Sequence, residues 1–240
     1  ARNAVDCALW DFYAKRDGIS VAETAGLAPL KSEITAETIG MGTPDEMGAR
    51  AAELSAAPLL KIKINAEDIE KRLDAVRAGA PNARIIVDPN EGWDVALLSE
   101  KVRYLAEIGV EMLEQPVPVG QDGGLAALDS PVPICADESV HTADGLEDLV
   151  KRYDMVNIKL DKTGGLTEAL KLRARAEALG FEIMVGCMVG SSLAMAPAVL
   201  VAQGAKIVDL DGPLLLKEDR TPGLNFTDGR IHPADPELWG

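Results

Sequence analysis

The chain has 240 residues, 47% of them hydrophobic and 26% charged, with 24 basic against 39 acidic side chains and a net charge of −15. That length and balance describe a globular chain able to bury a large core, and an acidic chain without basic clusters argues against a nucleic-acid or anionic-membrane partner. No apolar run approaches the roughly 20 residues needed to cross a bilayer, and three scattered cysteines, Cys7, Cys135 and Cys187, match no zinc spacing and point to a reducing cytoplasm.

The first element in chain order is an amphipathic segment over residues 1–17, which reads as a helix. Eight strand-like runs follow: "EITAETI" (33–39), "LLKIKI" (59–64), "RIIVD" (84–88), "VEMLE" (110–114), "VPICAD" (132–137), "DMVNIK" (154–159), "EIMVG" (182–186) and "KIVDLD" (206–211). Helical patterns lie between them. "TPDEMGARAAEL" offers Thr43 as N-cap, Pro44 at the first helical position and Glu46 to close a capping box. "DVALLSEKVRYLAEIG" places Val95, Leu98, Val102 and Leu105 on one stripe before Gly109, and "GLTEALKLRARAEALG" does the same with Ala169, Leu172, Ala176 and Leu179 before Gly180. Mostly apolar strands alternating with helices mean a parallel sheet covered by helices, and eight of them predict an α/β barrel.

No helix is expected after the eighth run. The tail there is rich in Gly and Pro, with an Asp-Gly turn at 228 and 229. The predicted fold is therefore a modified TIM barrel, (β/α)7β, with the N-terminal helix standing in for the missing one. Residues 1–17 would lead into and close the barrel, 18–211 would form it, and 212–240 would be a C-terminal segment.

The ends of barrel strands carry the chemistry. Side chains alternate along a strand, so Lys61 and Lys63 share one face of "LLKIKI"; two snorkelling lysines at a sheet edge are the plain alternative. Asp88, Glu114 and Asp137 close three successive runs and would repel one another without a cation. Three hard oxygen donors suit Mg²⁺; the competing reading makes them N-caps, which fits Asp137 in "ADES" better than Glu114 before Gln-Pro. Strands four apart in an eight-stranded barrel lie opposite each other, so Lys63 and Lys159 would face across the mouth. Two bases flanking a metal-held substrate are what a 1,1-proton transfer needs. Asp209 and Asp211, two apart, would share a strand face and grip one cationic group, unless they only form the turn before Gly212-Pro213.

The order and spacing of "KIK", "VDPNEGW", "EQP", "ADES", "NIKLDKTGG" and "VDLDGP" resemble the muconate-lactonizing branch of the enolase superfamily, and most closely its dipeptide epimerases. The resemblance implies Mg²⁺ on Asp88, Glu114 and Asp137, an acid/base pair in Lys63 and Lys159, Lys61 in support, and Asn90 and Glu138 orienting ligands or lysines. It implies that Asp209 and Asp211 take a dipeptide's α-ammonium group. The expected reaction is epimerisation of L-Ala-D-Glu to L-Ala-L-Glu through an enediolate, in the cytoplasmic recycling of cell-wall peptides. A homo-oligomer is compatible with it. Muconate-type cycloisomerisation, o-succinylbenzoate synthesis, N-succinylamino-acid racemisation, acid-sugar dehydration and an inactive scaffold barrel are the alternatives. The resemblance also implies an α+β capping domain ahead of the barrel, expected to lie outside these 240 residues, with the 212–240 segment expected to pack on it.

Overall fold

The computed structural model describes residues Ala1–Gly240. The chain opens with α1 (Arg2–Asp17), α2 (Val21–Thr24), β1 (Glu33–Ile34), β2 (Glu37–Ile39), α3 (Pro44–Glu53), β3 (Leu59–Lys63), α4 (Ile69–Gly79), β4 (Arg84–Asp88), α5 (Val95–Glu107) and β5 (Val110–Glu114). It continues through β6 (Ile134–Ala136), β7 (Met155–Ile158), α6 (Leu160–Thr163), α7 (Leu166–Ala178), β8 (Glu182–Gly186), α8 (Ser192–Val201), β9 (Ile207–Asp209), β10 (Phe226–Thr227) and β11 (Arg230–Ile231). Strands β2 to β9 form one eight-stranded sheet in chain order, with parallel pairing, which is the strand order of the expected (β/α)7β fold.

Two expectations need correction. The run 33–39 is two strands, because Glu33 and Ile34 pair with β11 while Glu37 to Ile39 pair with β3; Thr35 N between them donates to Gly229 O at 3.0 Å. After β5 and after β6 the connections contain 3₁₀ turns, Asp122–Ala127 and Leu146–Asp148, in place of α-helices. Pro118, Gly120, Gly123 and Gly124 explain the first of these, since Gly and Pro are the poorest helix formers.

The chain divides into two compact units. One comprises residues 36–140 and 147–157. Its strands are apolar on both faces, as parallel strands under helices must be: Leu59, Leu60, Ile62, Ile85, Ile86 and Val87 are all buried. Helix α3 carries the expected capping box, Glu46 N donating to Thr43 Oγ1 at 3.3 Å and Thr43 N to Glu46 Oε2 at 2.8 Å. It packs on α4 through small residues, and a Cβ at Gly79 would collide with the carbonyl oxygen of Gly48, so only glycine permits this approach.

The other unit comprises residues 1–35, 141–146 and 158–240. Here α1 packs on α6 and α7. Asp6 caps α7, accepting from Thr167 N at 3.0 Å and Thr167 Oγ1 at 2.7 Å. Trp239 Nε1 donates to Cys7 O at 2.9 Å, and Gly240 N to Asp11 Oδ1 at 2.8 Å. The Asp-Gly turn forms the β10–β11 hairpin, Asp228 and Gly229 having φ of 52° and 68°, the two positive values that a type I′ turn requires.

Candidate active site

Lys61 and Lys63 lie on one face of β3, and register pairs Lys63 with Asp88 on β4. Lys63 Nζ lies 2.6 Å from Asp88 Oδ2 and 2.7 Å from Asn90 Oδ1. Lys61 Nζ reaches deeper, 3.1 Å from the same Asp88 oxygen and 2.7 Å from Glu114 Oε2 at the end of β5. Asn157 on β7 donates through Nδ2 to Glu114 Oε1 at 2.8 Å. Five side chains thus form one continuous set, with a sixth, Asn90, at its rim.

Charge balance makes the set tolerable. The Lys61, Asp88 and Glu114 side chains are at most 4% exposed, and an uncompensated ion there would cost several kcal/mol. Burial pushes the Asp88 carboxyl up, but the Lys61 and Lys63 ammonium groups, the Lys63 hydrogen bond and the Asn90 N–H together hold it below the ordinary carboxylate value. Asn90 N donates to Asp88 Oδ1 at 2.9 Å from a left-handed backbone, φ 45°, which asparagine adopts more readily than most residues.

Asp137 follows β6 and is buried. Its backbone N donates to Gln115 Oε1 at 2.9 Å. Glu138 is half-buried and accepts from Asn90 Nδ2 at 3.5 Å, the outer limit of a hydrogen bond. Asp88, Glu114 and Asp137 are oxygen donors on three successive strands, a set whose chemistry fits Mg²⁺. They are not gathered into a three-acid cluster, since no group of three or more His, Cys, Asp or Glu stands at metal-holding positions. Asp88 and Glu114 are held by ammonium groups instead.

Lys159, Asp209 and Asp211 belong to the other unit, and all three are buried. Lys159 follows β7 as the N-cap residue of α6, and Asp209 ends β9. Asp211 is not a strand residue: β9 stops at Asp209, Leu210 N donates to Thr35 Oγ1 at 2.9 Å, and Asp211 opens a 3₁₀ turn with φ −80° and ψ 2°. The alternation expected to align the two aspartates therefore does not apply. Asn157 and Gln115, both in contact with the acid-bearing positions, escape the sequence reading. The trace of Asn157 is a single amide inside the apolar run "DMVNIK".

A parallel sheet with lysines and carboxylates at its strand ends defines a class, and residues 46–237 match the enolase C-terminal domain-like family. The chain belongs to that family, and with relatives named racemase and epimerase it is an isomerase of the enolase superfamily. It is 48% identical to N-acetyl-D-glutamate racemase of Pseudoalteromonas sp. over 240 residues, all of this chain and 76% of the relative. It is 47% identical to L-Ala-D/L-Glu epimerase of Escherichia coli (strain K12) over 234 residues, 97% of this chain and 73% of the relative. An enolase family member from Agrobacterium tumefaciens with homology to dipeptide epimerases, solved with bound sodium and L-Ala-L-Glu, superimposes with a TM-score of 0.98 at 57% identity, covering all of this chain and 74% of that one. No helix is long and apolar enough to cross a membrane.

Proposed function

We propose that the protein epimerises the glutamate residue of L-Ala-D/L-Glu by 1,1-proton transfer. The observation that carries the reading is the buried set at the ends of β3, β4 and β5, where Lys61 and Lys63 face Asp88 and Glu114. A soluble fold gains little from burying so many charges unless they work on a ligand. Asp88, Glu114 and Asp137 would hold Mg²⁺, the cation in solved dipeptide-epimerase complexes of the family. When bound it supplies positive charge that acidifies the proton beside a substrate carboxylate and offsets the charge left by its removal.

The rest of the chemistry falls to this chain's own residues. Lys63 removes or returns the proton on one face of the α-carbon and Lys159 on the other, a pairing supported by their place on or just after β3 and β7, four apart in strand order. Asn90 and Asp88 fix the Lys63 amine. Lys61 holds the Asp88 and Glu114 carboxylates in place. Asp209 and Asp211 take the α-ammonium group of the dipeptide, a reading supported by their burial and acidity. The few, widely spaced cysteines Cys7, Cys135 and Cys187 support a cytoplasmic setting.

A second reading is racemisation of N-acetylglutamate, favoured by the relative of that name at 48% identity. Both substrates are N-acylated glutamates with the same reacting carbon; only the dipeptide has an ammonium group. Deuterium incorporation from solvent at that carbon separates them. Comparable or faster exchange of N-acetylglutamate than of L-Ala-L-Glu would overturn the dipeptide assignment while leaving the proton-transfer chemistry intact. No exchange with either would overturn both. Asp211→Asn should raise KM for L-Ala-L-Glu by at least about tenfold, the worth of 1.4 kcal/mol of a lost charge-assisted contact, and should leave N-acetylglutamate unaffected.

A further inference from the structure

Gln115 follows Glu114 directly, is fully buried, and adopts φ 33°, a left-handed backbone that a side chain other than glycine's occupies only under constraint. All of its polar groups are engaged. Its O accepts from Glu91 N at 2.8 Å, in the loop after Asp88, and its N donates to Cys135 O at 2.8 Å on β6. Its Oε1 accepts from Asp137 N at 2.9 Å and Ser139 N at 3.1 Å. Its Nε2 lies within donating distance of Val117 O at 2.8 Å, Ser139 Oγ at 2.9 Å and the Tyr153 hydroxyl at 3.0 Å.

From this geometry we infer that Gln115 is a positioning residue that sets the mutual spacing of the three carboxylates Asp88, Glu114 and Asp137. It joins the loop behind Asp88, the position beside Glu114 and the amide of Asp137 itself. A carboxamide is needed for the part. Two backbone N–H groups demand an acceptor, and Val117 O demands a donor, so glutamate would set a carboxylate against a carbonyl and methionine would strand both amides. The amide is held from behind: the Tyr153 hydroxyl donates to Asp122 Oδ2 at 2.8 Å, Ser139 Oγ lies 3.3 Å from the same oxygen, and Arg152 Nη1 offsets the Asp122 charge at 2.7 Å. With Tyr153 and Ser139 turned toward Asp122, both present lone pairs to Gln115 Nε2, which fixes the amide's orientation.

The inference rests on the proposed Mg²⁺ site, and its test reads metal affinity apart from turnover. Isothermal titration of the wild-type protein, Gln115→Met and Gln115→Asn with Mg²⁺ alone, well below each Tm, should show Kd raised roughly 10- to 100-fold in the variants, the usual effect of losing a residue that orients metal ligands. Tyr153→Phe, which leaves the grip on Asp137 N in place, should lower Tm while keeping Kd within about threefold. A role in stability alone would lower Tm in all three and leave Kd unchanged, and that result overturns the inference. Absence of Mg²⁺ binding by the wild type would instead overturn the metal reading beneath it. Should neither Gln115 variant fold, hydrogen exchange of the Asp137 and Ser139 amides in the wild type decides: slowing of at least about tenfold on adding Mg²⁺ supports the inference, and equal rates with and without the metal overturn it.

Discussion

Lys61 and Lys71 each hold a carboxylate at nearly the same distance, 2.7 Å to Glu114 and 2.6 Å to Asp68. The side chains of the first pair are 4% and 0% exposed, those of the second 74% and 48%. Water and salt screen the pair on α4, where the chain loses side-chain freedom for little gain. At the ends of β3 and β5 nothing screens the charges, so each lysine becomes indispensable to its partner without making the fold more stable than an apolar core would. Distance alone therefore says little about what a lysine does here; burial and the number of carboxylates it serves decide.

The sharpest break of that comparison is Lys63→Ala, which should lower epimerisation about 10²- to 10⁴-fold, the usual worth of a positioned acid or base. On the proposed two-lysine mechanism, exchange of the α-proton of one enantiomer should survive, because Lys159 would still reach its own face. Epimerisation at the wild-type rate would show that Lys63 only neutralises Asp88. Next in size is Lys61→Met. It leaves buried carboxylates without their shared cation and should cost about 3–5 kcal/mol, read as a Tm lower by roughly 10 °C. Adding Glu114→Gln should restore part of that loss, since one buried charge then needs no partner; strict additivity in this double-mutant cycle would mean the two do not interact.

A pH titration sharpens the same contrast with a smaller effect. Asp88 has a folded-state pKa below its unfolded value, so its contribution to stability is complete above the ordinary carboxylate pKa of about 3.9 and is lost as pH falls through the depressed folded value. Wild-type Tm should fall more steeply than that of Asp88→Asn as pH drops below about 4, and parallel curves would deny Asp88 its paired state. Smallest of all is Lys71→Ala, for which thermal unfolding should show no measurable change in Tm. A clear drop there would erase the distinction between the two lysines.

What could be read in the sequence was local. Thr43, Pro44 and Glu46 encode the start of α3 within four residues, and Asp228-Gly229 encodes its hairpin by backbone conformation alone. The charges at strand ends were legible because a lysine or carboxylate interrupts an apolar run. Their partners were not, since Lys61 meets Glu114 across 53 positions that no periodicity spans. Asp211 shows how a boundary error propagates: alternation is sound for strand residues, yet β9 ends two positions earlier. Gln115 and Asn157 were overlooked for a related reason, as a lone amide has no pattern and their contacts lie 22 and 43 positions away.

The fastening of α1 by Trp239 and Gly240 bears on the order in which this fold assembles. The ties of this helix run to Thr167, 161 positions further along, and to Trp239, 232 positions further along. Alone it has a weakly apolar face, with Val5, Leu9, Phe12 and Tyr13 still exposed in the folded chain. An isolated helix of 16 residues is marginal in water. It must therefore wait, solvated or shielded, until the intervening strands are in place. Contacts of such long sequence separation form late and slow the search. Until those contacts form, unpaired strands and apolar surface are open to aggregation, and the bonds of Trp239 and Gly240 to α1 are among the long-range ties that close the fold.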